Sequence, residues 1–449
     1  MAPAAISAFA NVQHLSPDSL KPHKQNAKTH SARQIRQIAE SIRAFGFLNP
    51  ILIDENNSIL AGHGRWEAAK KQGLASVPTV RYEHLSETQK RAYVVADNKI
   101  AEQSGWDRDL LRLELGELVE LLPNEGLEID ITGFAIPELD ALEKDLGSAA
   151  SDPDDVPPAT PTRPVTRKGD VWRLGPHRLI CGDAQDAQTF QSLMQQKAAA
   201  AVFCDPPYNV SARSIGGRGR VQHEDFAFAA GEMSQPEFQD FLRKTLGNAI
   251  AASRPGAVHY ACMDWRHVAE LIEVGRELYE EMLNLIVWNK TNGGQGSFYR
   301  SQHELIGLFR VAGGRYRNNV ELGRFGRNRS NVWTYAGVNT FGRERMNDLA
   351  SHPTVKPTAM VADAILDCTS RGDVVLDPFL GSGTTILAAE KVGRIGFGVE
   401  FEPGYVDVAV RRWERTTKLQ ATLDGQSMTF DEVREDRNGK DSSAPNEER

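Results

Sequence analysis

Apolar positions along the chain fall into two rhythms. Ile35, Ile38, Ile42 and Phe45 recur at helical spacing behind Ser31, which suits an N-cap, and Gly46 supplies a stop. The period then shortens: Pro50-Ile51-Leu52-Ile53-Asp54 predicts a strand, Glu55-Asn56-Asn57 a turn and Ser58-Ile59-Leu60 the returning strand. Ala61-Gly62-His63-Gly64-Arg65 opens a second helix that runs through Lys70. Glycines at such a junction let backbone N–H groups face an anion, and Arg65 can pair with it. Residues 107–146 are acidic and rich in leucine, and they predict helical packing that closes the first domain. Ser148–Thr166 is crowded with Pro, Asp, Ala and Thr; it buries too little to fold and reads as a linker.

From Val171 the chain alternates. Strands are expected at 171–174, 178–181, 201–204, 257–263, 283–288, 304–309, 374–377 and 395–400, and helices at 189–196, 235–253, 266–280, 358–370, 384–392 and 403–415. Such alternation predicts an α/β domain with a parallel-rich sheet covered on both faces. Residues beyond about 420 turn polar and charged, which predicts a disordered tail. The expected boundaries are 11–146, a linker at 147–166, a main domain at 167–418 and a tail at 419–449.

Composition changes this picture little. The 449 residues, 40% hydrophobic and 25% charged, suit two or three globular domains, and no run approaches a membrane span. Met1-Ala2-Pro3-Ala4-Ala5 has no basic start followed by an apolar core, so a secretion signal is not expected. Cys181, Cys204, Cys262 and Cys368 are widely spaced in apolar contexts, as for buried thiols in a reducing, cytoplasmic setting, and no metal site is expected. Net charge is −8, yet the span Arg310–Arg345 holds eight Arg against two Glu, a local +6 interleaved with Tyr316, Phe325, Trp333, Tyr335 and Phe341. Arginines neutralise phosphates or read guanine and aromatics stack on bases, so Arg324, Arg327, Arg329 and Arg343 are candidate DNA contacts.

Two stretches carry chemistry. Ala201–Cys204 is an apolar strand that stops at Asp205-Pro206-Pro207-Tyr208. Neither proline can extend a ladder, so an acid, free carbonyls and an aromatic ring are held at the strand's carboxyl end, where open α/β sheets bind ligands. An acceptor pair beside an aromatic face suits the amino group of a nucleobase taken out of its stack. Further on, Val374–Asp377 leads through Pro378-Phe379-Leu380-Gly381-Ser382-Gly383 into a helix at Thr384, and the next strand ends in Glu400. An acid at that remove suits ribose hydroxyls. The dinucleotide pattern Gly-x-Gly-x-x-Gly is absent, which favours a nucleoside cofactor without phosphates.

Two resemblances follow from these residues. "QIAESIRAFGFLNPILID", "ILAGHGRWEAAKKQG", "VPTV" and "ADNKIAE" resemble the ParB-like (ParB/sulfiredoxin) domain. In that family the turn, here Gly62, Gly64 and Arg65, can hold a nucleotide or phosphate; the partition proteins carry Gly-Glu-Arg-Arg there, so hydrolysis is not expected of this chain. "DPPY", "HPTVKP" and "DPFLGSGTT", in that order, resemble the amino-methyltransferases of DNA in their β-type permuted arrangement.

That second resemblance implies a class I S-adenosylmethionine-dependent methyltransferase fold, Rossmann-like, behind a small α+β ParB-like domain. Phe379, Gly381, Gly383 and Thr384 would line the cofactor, Asp377 would lie by its methionine end, Glu400 would hold the ribose and Asp183 would lie near the adenine. His352, Thr354, Lys356 and Pro357 would contact the methionine end. Asp205 and the Pro206 carbonyl, with Pro207 and Tyr208 completing the catalytic motif, would accept the two N–H bonds of the target amine, and Tyr208 would stack on the base. The resemblance points to double-stranded DNA and adenine N6, with cytosine N4 as the alternative. A homodimer is compatible with it. A partition-type DNA- or nucleotide-binding protein is the reading from a different class.

Overall fold

The computed structural model describes residues 11–24, 26–103, 105–144, 157–158, 160–210, 231–291, 293, 298–321, 329–336 and 355–442. They form two compact units, Met1–Glu143 and Lys144–Arg449. Among the described residues no helix is long and apolar enough to cross a membrane.

The first unit is built on β1 (Val12–Leu15), β2 (Ile51–Ile53), β3 (Ile59–Ala61) and β4 (Val77–Arg81), in the spatial order β1-β4-β2-β3. Pattern and capping chemistry agree here. Ser31 accepts the Gln34 N–H at the start of the helix Ala32–Phe45, and Gly46 ends it at φ +81°. Ile51, Ile53, Ile59 and Val77 pack with Leu20 and Ala69 in a dry core. The helix His63–Gln72 starts from Gly62, left-handed at φ +97°. Residues 107–146 hold the helices Arg108–Leu121 and Ile136–Lys144 around a small core of Leu115, Ile129 and Leu139.

The second unit is one ten-stranded sheet of β5 (Val171–Leu174), β6 (His177–Cys181), β7 (Ala199–Cys204), β8 (Ser253–Met263), β9 (Glu281–Asn289), β10 (His303–Arg310), β11 (Val332–Thr334), β12 (Val374–Asp377), β13 (Ile395–Glu400) and β14 (Thr422–Leu423). The order is β11-β9-β10-β8-β7-β12-β13-β6-β5-β14. The central run from β8 to β6 is parallel; β10 is antiparallel to both its neighbours, and β5 and β14 close the other edge antiparallel. Every residue of β6, β7 and β12 is buried, as a sheet covered on both faces requires.

The topology selects one place for a ligand. From β7 the chain crosses to β8 on one side, and from β12 it crosses to β13 on the other. The junction of β7 and β12 is therefore the switch point of the sheet, where a crevice opens at the carboxyl ends. Only Ala201–Val375 and Val202–Leu376 pair there before the strands part.

The expected disordered tail is corrected. Residues 422–423 add β14 to the sheet edge and Phe430–Ser442 is helical. Polarity misled because a few residues suffice as anchors: Leu423, Phe430 and Val433 are buried against Trp172, with the Phe430 and Trp172 rings 5.1 Å apart. Arg437 completes the docking through Asp170 at 2.6 Å. The end of the expected linker is likewise held, since Asp407 accepts the N–H groups of Val165 and Thr166 at 2.6 and 3.0 Å. Phe430→Ala is expected to cost the second unit about 3–5 kcal/mol; chemical denaturation measures it, and a loss below about 1 kcal/mol would show that the tail is not part of the core.

Candidate functional site

Strand register assembles the site from distant parts of the chain. Val202 lies opposite Leu376, Asp377 opposite Gly398 and Glu400 opposite Cys181. The residues at and just beyond these pairs, Asp205, Phe379, Glu400 and Asp183, therefore reach the same carboxyl edge. Four acids (Asp205, Asp377, Glu400 and Asp183) line it.

At the end of β7, the Tyr208 hydroxyl donates to Asp205 Oδ1 at 2.5 Å and lies 3.1 Å from Glu304 Oε2. The Lys356 ammonium sits on Asp205 Oδ2, 3.2 Å from Glu304 Oε2 and 3.3 Å from the Tyr208 oxygen. The other Glu304 oxygen, Oε1, takes the Lys290 ammonium. Two acids and two ammonium groups thus alternate in a charge-balanced row that is buried at Lys356 and partly open at Lys290. Burial disfavours the Lys356 charge, but Asp205 and Glu304 outweigh it and hold the ammonium well above the ordinary lysine range. The acids differ. Burial would raise Glu304 too, yet two ammonium groups bring it down to about 2, whereas burial leaves Asp205 raised despite its share of Lys356. Pro206 is buried, and Pro207 and Tyr208 are half-buried.

Across the switch point, Asp377 Oδ1 accepts the Phe379 N–H at 2.9 Å and Oδ2 accepts the Thr385 hydroxyl at 2.6 Å, which folds the glycine turn back over the strand end. Gly381, at φ +55°, donates its N–H to Glu400 Oε2 at 2.8 Å, and a Cβ there would meet nothing within 4 Å. Gly383, left-handed at φ +94°, also has a packing role: a Cβ on it would come within 2.8 Å of Ala409 Cβ, so its missing side chain makes room for the helix Pro403–Thr417. Thr384, buried, opens the helix Thr384–Lys391. Burial raises both Asp377 and Glu400 to about 7. Asp183 turns the chain after β6 by accepting the Gln185 N–H at 2.8 Å.

Other expected residues fall elsewhere. Lys356, read as a cofactor contact, has its ammonium on Asp205, Glu304 and Tyr208, while Pro357 caps the helix Thr358–Cys368. His352, Thr354, Arg324, Arg327 and Arg343 lie outside the described residues. Arg329 is not a free DNA contact. It pairs with Asp363 at 2.8 Å and Asp367 at 3.2 Å and lies over the Trp333 ring. Trp333 and the Asp363-bound Tyr335 belong to the same support, so the basic segment carries scaffold as well as surface. Cys204 is fully buried and its thiol is pushed well up by that burial, which removes it as a nucleophile. Sequence reasoning missed Glu304 and Lys290, which belong to no recognised motif, and Asn209. The Asn209 side chain receives the Gly231 and Met233 N–H groups, joining the two chain ends that flank residues 211–230.

In the first unit Arg65 folds back over its own turn. Its guanidinium lies where a Gly62 Cβ would stand, Nη2 donates to the Pro50 carbonyl at 3.4 Å, and Nε is buried without a hydrogen-bond partner among the described residues. His63, brought down to about 4 by burial, accepts the His23 N–H at 3.2 Å and is neutral near pH 7.

Residues 199–411 match the model of a family described as DNA methylase, residues 4–99 the ParB N-terminal domain and residues 109–168 a ParB-methyltransferase HTH domain. The Type II methyltransferase M2.DpnII of Streptococcus pneumoniae is 30% identical over 241 residues, 51% of this chain and 87% of that protein. The Type II methyltransferase M.HpaI of Haemophilus parainfluenzae is 25% identical over 272 residues, 58% and 77% of the two chains. Among solved structures, a DNA modification methylase of Thermus thermophilus in complex with S-adenosyl-L-methionine is 22% identical, covering 56% of this chain and all of that one at a TM-score of 0.38. By its own strand order the second unit is a Rossmann-like, parallel-rich sheet, and the chain belongs to the DNA methylase family, with a ParB-type domain ahead of the methylase.

The HTH match explains the leucine-rich stretch after residue 107, read from sequence only as helical packing. Its helices Arg108–Leu121 and Ile136–Lys144 are separated by two 3-10 turns that end at left-handed Gly126 and Gly133. Arg329→Ala removes the cation that buried Asp363 and Asp367 share and is expected to cost about 3–5 kcal/mol. Thermal unfolding would register it; unchanged stability with weakened DNA binding would return Arg329 to the DNA surface.

Proposed function

We propose that this DNA methylase uses S-adenosylmethionine to methylate the exocyclic amino group of a flipped base in double-stranded DNA, with adenine N6 as the target. The supporting observation is the meeting of Asp205-Pro206-Pro207-Tyr208 with the Gly381 turn across one switch point. Asp as the first letter of the motif favours adenine; cytosine N4 remains the alternative, and hydrolysed product DNA analysed by mass spectrometry separates N6-methyladenine from N4-methylcytosine.

The edge fits the cofactor on its own chemistry. Gly381 leaves open space, Glu400 keeps lone pairs for hydroxyl groups beyond its two backbone donors, and the edge carries acids where a pyrophosphate would need cations. When bound, the cofactor supplies a methyl group activated on a positive sulfonium. The protein supplies positioning and hydrogen-bond acceptors. An exocyclic amine is a poor nucleophile because its lone pair is conjugated with the ring. Asp205 and the Pro206 carbonyl, accepting its two N–H bonds, draw nitrogen toward tetrahedral geometry and localise that pair. Holding the partners in line supplies much of the rate, and Tyr208 offers a face for the extruded base.

In the first unit, the buried, unpartnered Nε of Arg65 beside Gly62 and Gly64 supports a phosphate or nucleotide at that turn. Calorimetry with nucleoside triphosphates, comparing wild type with Arg65→Ala, tests it; equal heats from both proteins would exclude the turn.

Asp205→Ala is expected to lower methyl incorporation into unmethylated duplex by roughly 10²–10⁴-fold while cofactor binding persists. Equal incorporation by both proteins would remove Asp205 from the reaction. A pH effect follows from Asp377 and Glu400, held at about 7 in the free protein. A cationic ligand favours their ionised forms, so its binding releases protons near neutrality and its affinity falls as pH drops through about 7. Calorimetry in two buffers of different ionisation heat measures that release, and an affinity independent of pH between 6 and 8 would contradict it.

A further inference from the structure

Glu304 and Lys290 stand beside the reacting group without a role in the mechanism so far. Lys356 occupies Asp205 Oδ2, an oxygen that the target amino group would use. A buried ammonium cannot leave a carboxylate for nothing; it needs another partner within reach. Glu304 Oε2 is that partner, 3.2 Å from Lys356 Nζ. The Tyr208 hydroxyl makes the same choice available to a proton, standing 2.5 Å from Asp205 and 3.1 Å from Glu304. Lys290, on Glu304 Oε1, balances the charge so that Glu304 stays ionised beside Asp205.

We propose that Glu304, backed by Lys290, is a positioning residue: it receives the Lys356 ammonium when the amino group arrives at Asp205, and so frees the Asp205 oxygen for the base. The proposal rests on the reading of Asp205 as the amino-group acceptor. Glu304 touches no reacting atom and acts through Lys356 and Tyr208. In the transfer the methyl carbon–sulfur bond breaks with its electron pair returning to sulfur, the carbon–nitrogen bond forms, and one amino proton passes to Asp205 and from there to solvent. With Lys356 shared toward Glu304, Asp205 is the acid able to take that proton.

Among the described residues, the charged and titratable groups that face Asp205 are few, so the effect can be isolated. They are Tyr208 and Cys204 from its own segment, Cys262 from β8, Glu304 from β10, Asp377 from β12 and Lys356 ahead of the helix Thr358–Cys368. Both thiols are raised by burial and stay neutral.

The test uses the full chain, free of cofactor and DNA, labelled with ¹³C at the aspartate carboxyl carbons; Asp205→Asn assigns the Asp205 resonance by its loss. Glu304→Gln keeps the shape but leaves Lys356 only Asp205, so the Asp205 midpoint is expected to fall by about one to three pH units. Lys290→Met acts in the opposite sense. Glu304, robbed of one cation, draws Lys356 more strongly and the Asp205 midpoint rises. The acid limb of kcat on duplex DNA is expected to follow in the same two directions, with KM for the cofactor unchanged.

A midpoint that stays in place, or that moves the same way in both variants, overturns the proposal, and so does a shifted midpoint whose kcat acid limb stays where wild type has it, since a pair that acts on Asp205 only through space in the resting protein would move the first and not the second. If Glu304→Gln does not fold, Lys290→Met decides the question by the direction of its shift. Opposite shifts in the two variants, alongside a wild-type protein that transfers no methyl group, would leave the charge row standing and overturn the amino-acceptor reading on which the proposal rests.

Discussion

Carrying charge to the end of a dry sheet is the constraint on which this molecule is built. The strands that deliver Asp205, Asp377 and Glu400 are buried along their length, so each acid emerges from an apolar layer and needs its own local support. Two solutions appear side by side. Asp377 and Glu400 are held by backbone N–H groups and a threonine hydroxyl, which leaves them without a cation among the described residues and high in pKa. Asp205 is supported by Lys356 and Tyr208, inside a row whose far end is fixed by Lys290. The first arrangement leaves a place for positive charge on a ligand. The second supplies positive charge of its own, which must shift when a neutral amino group comes in.

The strength of that support comes from distance and burial, not from the number of ion pairs. Surface pairs of this chain such as Lys244–Asp240, both more than half exposed, contribute little. Lys356 is 7% exposed and touches three site oxygens, so truncating it would strand Asp205 in a low dielectric and leave Glu304 with Lys290 alone. Arg329 follows the same logic on another face. Its reassignment from the DNA surface to the scaffold shows why an arginine-rich run read by composition overstates the surface: two aspartates 34 and 38 positions further along the chain neutralise it.

Most of the sheet was legible because strand and helix alternate with clear periods, and both chemical stretches stood at strand ends where the residues break the ladder. Ser31, Gly46, Gly62 and Gly381 announced themselves by local rules of capping and positive φ. What escaped depends on pairs distant in sequence. Glu304 and Lys290 flank the turn between β9 and β10 and look like ordinary surface charges until that hairpin is laid beside Asp205. The packing role of Gly383 was hidden because its contact, Ala409, lies 26 residues on. The tail read as disordered because three apolar anchors among many charges fall below any compositional threshold, yet meet a ready-made face at Trp172.

The pairing of β7 with β12 also has a consequence for how the chain comes to be folded. These neighbours in the sheet are separated by roughly 170 residues of sequence, so β7, apolar on both faces, emerges from the ribosome long before its partner exists. Until β12 arrives, Ala199–Cys204 has one side of its backbone unpaired and only β8 to cover the other. Long-range parallel pairing of this kind forms late and leaves an aggregation-prone edge exposed meanwhile. The order of elements that brings acceptor and cofactor turn together in the finished sheet therefore makes synthesis of this protein sensitive to translation speed and to chaperones that shield a nascent edge.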